Sequence, residues 1–261
     1  VLEESTPGVE GLASVSHHAI NQNDSFLYTV TESSELGVFQ QSSDTGIFTH
    51  FETLQNTGYD QAGNLINGLL NPHTVVVSRD QNYIYVSSPI SVSIMVFSKN
   101  IFSHVLNFSQ QYSFNGEDAE GNIITGLIVP QAMTLSPDEA YLFVAETFGV
   151  SSFRRNTSTG ALSYLETLFH GRLDDEGSPL TTLMTPKDVL MSSDGSHLYV
   201  TSQTFNALNV FRWNSDTEHL LWVETLQDGG VDGGGASVDG LEDAEFLAFS
   251  HDQRFLYVTS G

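Results

Sequence analysis

The chain has no cysteine, and it sets only 8 Lys and Arg against 32 Asp and Glu, for a formal charge of −24. Without thiols, disulfides, thiolate zinc sites and cysteine nucleophiles are excluded. With so few cations, a nucleic-acid backbone or an anionic membrane is excluded as the natural partner, because such a surface repels phosphate. No apolar run reaches the roughly 20 residues that a membrane helix needs, so no membrane insertion is expected. No long helical periodicity occurs either. The acidity does not signal disorder, since 39% of the 261 residues are apolar and 11% aromatic, enough for a large core. Carboxylates so poorly supplied with Lys and Arg need other counter-cations, and the setting expected is extracellular, periplasmic or at the cell surface.

What the chain does have is a phrase that returns five times: an apolar or Pro-led run, then Ser-x-Asp, then a Leu-Tyr-Val run. Its Asp falls at Asp24, Asp80, Asp138, Asp194 and Asp252, at intervals of 56, 58, 56 and 58 residues. The aromatic of the next run keeps step as Tyr28, Tyr85, Phe143, Tyr199 and Tyr257, and a further aromatic follows as Phe39, Phe97, Phe153 and Phe211. Fixed-period similarity of this length marks an array of equivalent supersecondary units. In the second copy, 73–78 is a β-branched run, 79–82 a polar turn, and 83–88, 93–98 and 104–114 read as three more strands. A four-stranded antiparallel unit cannot bury both faces alone. Radial stacking of such units gives a β-propeller, here with about 57 residues per blade.

The fold class expected is therefore all-β, a β-propeller of four-stranded antiparallel blades. The 261 residues are read as one propeller domain, with repeats near 11–67, 68–125, 126–181, 182–239 and 240–261. The domain reads as incomplete at both ends. Val1-Leu-Glu-Glu4 resembles the outer-strand phrase of other copies, Phe51-Glu-Thr-Leu54, Leu165-Glu-Thr-Leu168 and Val223-Glu-Thr-Leu226, and the fifth copy ends after its second strand. A strand aromatic such as Tyr199 is expected in the core.

The phrases Ser136-Pro-Asp-Glu-Ala-Tyr-Leu-Phe-Val144, Ser192-Ser-Asp-Gly-Ser-His-Leu-Tyr-Val200 and Ser250-His-Asp-Gln-Arg-Phe-Leu-Tyr-Val258 carry a resemblance. With Val210-Phe211 and Thr159-Gly-Ala-Leu162, they make the chain resemble the phosphogluconolactonase-like, YVTN-type propellers, which usually have seven blades. That resemblance implies a catalytic set made of a Pro-His pair opening an inner strand, an Arg at the same place one blade on, and a Glu closing that blade's second strand. Pro72-His73 matches the pair and Glu146 lies near the Glu, but Gln131 stands where the Arg belongs.

Two polar features recur independently of any family. Seven residues before each repeated Asp stand His17, His73, Gln131, Lys187 and Glu245, all different, as a candidate polar ring around a propeller channel. Such a ring suits a small polar ligand or an ion, and it also suits plain hydration of a channel mouth. His17, His73 and Glu146 are its nearest approach to a catalytic acid–base set. The second feature is Asp-x-x-Gly in the blade connections, beginning at Asp60, Asp118, Asp174 and Asp232. Asp first and Gly fourth suits a type I turn. With Glu120 and Asp175 beside them, the same aspartates form a candidate calcium site, although none has EF-hand spacing. The Gly-rich 229–235 stretch lacks the Lys of a phosphate loop, and no nucleophile-elbow Gly-x-Ser-x-Gly occurs.

Two functions fit. The reading favoured by the missing Arg is a non-catalytic extracellular or cell-surface propeller, a binding or scaffold module for a small polar ligand, ion or protein partner, with calcium as a stabiliser. The alternative is a lactonase-like hydrolase with its site at the channel mouth.

Overall fold

The computed structural model describes residues 11–23 and 25–261. Asp24 and the Val1–Glu4 phrase lie outside the described residues. All regular structure is β, in five antiparallel sheets, and no helix occurs among the described residues. Sheet one runs in the order β1 (Val15–Ile20), β2 (Phe26–Thr31), β3 (Glu35–Gln41), β4 (Phe48–Gln55). Sheet two holds β5 (Thr74–Val77), β6 (Tyr83–Ser88), β7 (Ser93–Lys99) and β8 (Leu106–Ser113), and sheet three holds β9 (Pro130–Leu135), β10 (Tyr141–Glu146), β11 (Gly149–Arg155) and β12 (Leu162–Phe169). Sheet four holds β13 (Val189–Met191), β14 (His197–Ser202), β15 (Ala207–Asn214) and β16 (His219–Gln227). Sheet five is only β17 (Ala244–Phe249) and β18 (Leu256–Ser260).

The chain divides into two compact units. One contains sheets one and two with the segment Asn156–Ala161, and the other contains sheets three, four and five. Each unit has its own core. In the first, Tyr28, Val30 and Val38 pack with Val75, Ile84 and Met95, all buried. In the second, Phe143, Ala145 and Val150 pack with Val189, Leu198 and Trp213.

The repeated phrase explains the local structure. In the turn between first and second strands, Ser78 Oγ donates to Asp80 Oδ1 (2.6 Å) and accepts from Tyr83 N (3.0 Å), while Asn82 N donates to Asp80 Oδ1 (3.0 Å). The same bonds recur around Ser136–Asp138, Ser192–Asp194 and Ser250–Asp252. In the first copy Asn21 replaces Ser and its Oδ1 accepts from Phe26 N (2.8 Å). Side-chain oxygens thus satisfy turn N–H groups that the ladder leaves open. The second repeated aromatic marks a β-bulge: in each four-stranded sheet the outer pair slips one residue at Phe39, Phe97, Phe153 or Phe211. Each of these rings is fully buried. The bulge places them opposite His50, Phe108, Tyr164 and Trp222, and three of the pairs make edge contacts at 5.5–6.1 Å.

One expected core residue differs. Tyr28 and Tyr85 are fully buried, whereas Tyr199 is half-buried and meets Phe249 edge-on at 5.5 Å. The face beyond it carries only the two strands of sheet five. Replacing Tyr85 by Ala should therefore cost about 3–5 kcal/mol, and replacing Tyr199 clearly less. Denaturant unfolding of both variants checks this. Equal losses would contradict the burial difference.

Candidate functional site

The Asp-x-x-Gly connections fold alike in all four places. Gly63 N donates to Asp60 O (3.0 Å), Asp60 N to Asn64 O (3.0 Å), and Gly63 sits at φ +86°, a left-handed value that suits glycine. The aspartate then works on the backbone. Asp60 Oδ1 accepts from Asn64 N, Asp118 Oδ1 from Glu120 N and Asn122 N, Asp174 Oδ1 from Glu176 N and Ser178 N, and Asp232 Oδ1 from Gly234 N and Ala236 N, at 2.7–3.1 Å. Asp175 instead faces His219 Nδ1 at 3.4 Å, and Glu120 is exposed. Among the described residues no group of three or more His, Asp or Glu side chains is placed to hold a metal ion.

The second oxygen of Asp60 and that of Asp174 reach the following sheet. Phe108 N donates to Asp60 Oδ2 (2.8 Å) and Trp222 N to Asp174 Oδ2 (2.9 Å). Two residues earlier in the same strands, Leu106 N donates to Glu52 Oε1 (2.7 Å) and Leu220 N to Glu166 Oε1 (2.7 Å). Glu52 and Glu166 are the Glu of the repeated Glu-Thr-Leu phrase. Each carboxylate pair grips alternate N–H groups on the exposed edge of an outer strand, groups that would otherwise lack partners.

The inner-strand residues fall in both units. In the first, His17 on β1 and His73 just before β5 stand on neighbouring inner strands, and both are half-buried. Val75 N donates to His17 Nδ1 across a long 3.4 Å. Burial, then the charges of His18 and His73, hold the His17 imidazole below its ordinary pKa and so neutral. In the second unit, Gln131 on β9, Lys187 before β13 and Glu245 on β17 lie on successive inner strands and are also half-buried. Lys187 N bonds Thr201 Oγ1 (3.3 Å), which donates to Glu245 O (3.2 Å). Asp188, a site residue that the repeat pattern alone does not single out, accepts from Val189 N and from Leu247 N (both 2.8 Å), and burial pushes its carboxyl up to about 6. It is the one acid among the equivalents His18, Thr74, Ala132, Asp188 and Phe246, and that is the signal it gave.

Glu146 is fully buried. Leu127 N donates to Oε1 (2.9 Å), Ile128 N to Oε2 (2.6 Å), and Ser151 Oγ bonds Oε1 as well. Burial raises its pKa against these bonds. The equivalent positions hold Ser88, whose Oγ donates to Leu70 O (2.7 Å), and Ser202, whose Oγ donates to Met184 O (2.7 Å). All three side chains tie down the segment that leads into the inner strand.

Raised carboxyl pKa values have a consequence for stability. Burial lifts Glu52 to about 7 and Asp188 to about 6, and it raises Glu146 and Glu166. The folded state holds these protons more tightly than the unfolded chain, so stability is fullest below the ordinary carboxylate range and is lost as pH rises through about 6 and 7. Asp194, held near 2 by Ser192 and Ser196, works oppositely: its contribution is present above the ordinary value and lost as pH falls through about 2. His17, being depressed, also favours folding less as it is forced to protonate in acid. The urea midpoint at pH 5 should exceed that at pH 8, with relief of the −24 charge acting in the same direction. A higher midpoint at pH 8 would contradict these environments.

Repeated four-stranded antiparallel sheets with such connections place the chain in the all-β class. The family model described as "Lactonase, 7-bladed beta-propeller" matches residues 13–173, and the chain belongs to that family. Among solved structures it is similar to a protein from Lactobacillus plantarum (TM-score 0.68, 19% identity, 94% of this chain and 64% of that one). It is also similar to a functionally unknown protein from Desulfotomaculum acetoxidans (TM-score 0.64, 19% identity, 97% and 67%) and to the Pseudomonas aeruginosa periplasmic gluconolactonase (TM-score 0.52, 13% identity, 96% and 75%). The chain thus spans less than two thirds of the first of these. No curated protein matches. The expectation of a non-catalytic binding or scaffold module is corrected by the family match, which supports the lactonase alternative. Gln131 at the expected Arg position is one side chain, and it does not outweigh a family match that runs along 161 residues. No helix among the described residues is long and apolar enough to cross a membrane.

Proposed function

We propose that the chain is part of a lactonase of the seven-bladed propeller class, its sheets being successive blades, and that it hydrolyses an unphosphorylated sugar lactone. The observation that carries this reading is the His17–His73 pair on neighbouring inner strands, with His17 held neutral, in a chain of the lactonase family. His73 takes a proton from water as the water oxygen attacks the lactone carbonyl carbon. With Nδ1 accepting from Val75 N, neutral His17 carries its proton on Nε2, where it donates to the carbonyl oxygen as negative charge develops. The ring C–O bond then breaks, the ring oxygen receives a proton from the His73 imidazolium, and the product is the open hydroxy acid.

Glu146 serves as a positioning residue, holding the 127–128 turn ahead of Gln131. Gln131 in place of a cation and the charge of −24 both disfavour a phosphorylated substrate. The same acidity, the absence of cysteine and the likeness to a periplasmic gluconolactonase support a setting outside the cytoplasm. The test is proton release on a pH-stat with glucono-1,5-lactone and its 6-phosphate, corrected for spontaneous opening. The expected result is a kcat/KM at least tenfold higher for the unphosphorylated lactone. Equal rates with and without protein for both substrates would end the reading.

A further inference from the structure

A line of hydroxyls leads away from Glu146 through sheet three. Ser151 Oγ donates to Glu146 Oε1. Ser151 on β11 stands opposite Thr167 on β12, and their hydroxyl oxygens lie 2.5 Å apart. Tyr164 OH donates to Thr167 Oγ1 (2.9 Å), and Thr125 Oγ1 lies 3.3 Å from the Tyr164 oxygen. Burial falls along the series: Glu146 and Ser151 are fully buried, Thr167 and Tyr164 half-buried, and Thr125 exposed. With Thr125 donating to Tyr164 and Thr167 to Ser151, every hydroxyl donates inward and the series ends on the carboxylate. All five residues belong to the second unit.

Two features of the backbone build this line. Residues three apart on a regular strand face opposite sides, but the bulge opposite Phe153 sets one extra residue between Tyr164 and Thr167 and turns both to one side. A Cβ on Gly126 would lie 1.6 Å from Thr167 Oγ1 and 2.9 Å from Ser151 Oγ, so the glycine leaves the line its room. The other four-stranded sheets lack such a line. Sheet one sets Gly37 opposite Thr53, and sheet two sets Met95 opposite Gln111. In sheet four Trp222 Nε1 donates to Thr225 Oγ1 (3.2 Å), which donates to Asn209 Oδ1 (2.9 Å). An indole N–H only donates, and an amide does not titrate, so that series cannot pass a proton. Sheet three alone among the four joins an unbroken run of hydroxyls to an ionisable group.

We propose that Thr125, Tyr164, Thr167 and Ser151 form a proton path from solvent to the Glu146 carboxyl, by which that acid gains or loses its proton while Leu127 and Ile128 stay bound to it. Thr125 Oγ1 takes a proton from water as its own passes to the Tyr164 oxygen. Tyr164 then passes its proton to Thr167, Thr167 to Ser151, and Ser151 to Glu146 Oε1. One O–H bond breaks and one forms at each hydroxyl, so the net change is one proton moved from solvent to the carboxylate, with the bonds of the line reversed. Ile128 N keeps its acceptor, Oε2, throughout. Burial, then Ser151, Ile128 N and Leu127 N, set the ionisation of this acid. Without the path, a carboxyl with no exposed surface would exchange its proton only when the 127–128 segment opens.

The test compares two exchange rates in the folded 261-residue protein. The carboxylic C=O stretching band of Glu146, identified by its loss in Glu146→Gln, is followed by stopped-flow infrared spectroscopy after mixing with D₂O. Amide exchange at Leu127 and Ile128 is followed by NMR under the same conditions. The carboxyl is expected to exchange at least about a hundredfold faster than those amides, which report opening of the segment. Thr167→Val, close in shape but without the hydroxyl, should slow the carboxyl toward the amide rate and leave the amides unchanged. Thr167→Ser should restore fast exchange, Tyr164→Phe should slow it independently, and Thr225→Val in sheet four should have no effect. Circular dichroism and the melting midpoint confirm that each variant is folded, and Tyr164→Phe carries the test if Thr167→Val is not. Equal rates for carboxyl and amides in the unaltered protein would overturn the proposal, as would fast carboxyl exchange in folded Thr167→Val or Tyr164→Phe. No substrate is involved, so failure here leaves the lactonase reading standing, and failure of that reading leaves the path.

Discussion

Glu146→Ala should destabilise the second unit by about 2–4 kcal/mol, the largest single stability loss expected from a polar residue in this chain. The substitution removes an acceptor used by Leu127 N, Ile128 N and Ser151 Oγ, and Leu127, Ser151 and Glu146 are themselves fully buried. Leu127 and Val129 lie at φ +66° and +57°, backbone values that a β-branched or bulky residue holds only when its surroundings fix them. Loss of the carboxylate would release that segment. Glu146→Gln should lose less, because its amide oxygen still accepts one of the two N–H bonds. Hydrogen exchange at Leu127 and Ile128 reads the effect directly. A positioning role further predicts that the folded Glu146→Gln variant keeps the shape of its pH–rate profile while its rate falls. Disappearance of one limb of the profile would instead make Glu146 an acid–base catalyst.

His73→Ala should lower kcat/KM for lactone opening by about 10²–10³-fold, the range expected when a positioned general base is removed. It should do so with little loss of stability, because the side chain is half-exposed. A second effect follows from the electrostatics. His73 is one of the groups that depress the His17 pKa, so its removal should move His17 up toward the ordinary histidine value, visible in an NMR titration of the His17 ring. Retention of full activity by His73→Ala, with His17 unmoved, would remove both residues from the site.

Much of the fold was legible because the repeat writes its turns in side chains. Ser-x-Asp and Asp-x-x-Gly each close within five residues, and a local device needs no partner from elsewhere. The repeated Phe was visible as a pattern, but its bulge was not, since the slip depends on the facing strand. The Glu of Glu-Thr-Leu was equally visible and was read only as a strand signature. Its function lies in the backbone of the next sheet, 54 residues away. The acidic loops were legible only as carboxylates; that backbone N–H groups meet the Oδ1 atoms of Asp60, Asp118, Asp174 and Asp232 is a matter of geometry. Glu146 could have been read more fully. Its copies Thr31, Ser88 and Ser202 are all hydroxyl residues, and two of them, Ser88 and Ser202, tie to the neighbouring segment. Of the polar ring, the contrast between copies was plain in the sequence, and the neutral state of His17 was not, because it arises from burial and from His18 and His73.

The most direct measurement is a ¹H–¹⁵N NMR titration of the histidine rings with gluconolactam, a lactone analogue whose amide resists hydrolysis. The account predicts saturable shifts at His17 and His73 with one common dissociation constant, and no comparable shift at His219, which is engaged with Glu166. Saturation that leaves His17 and His73 unmoved would contradict the assignment of the site to this pair.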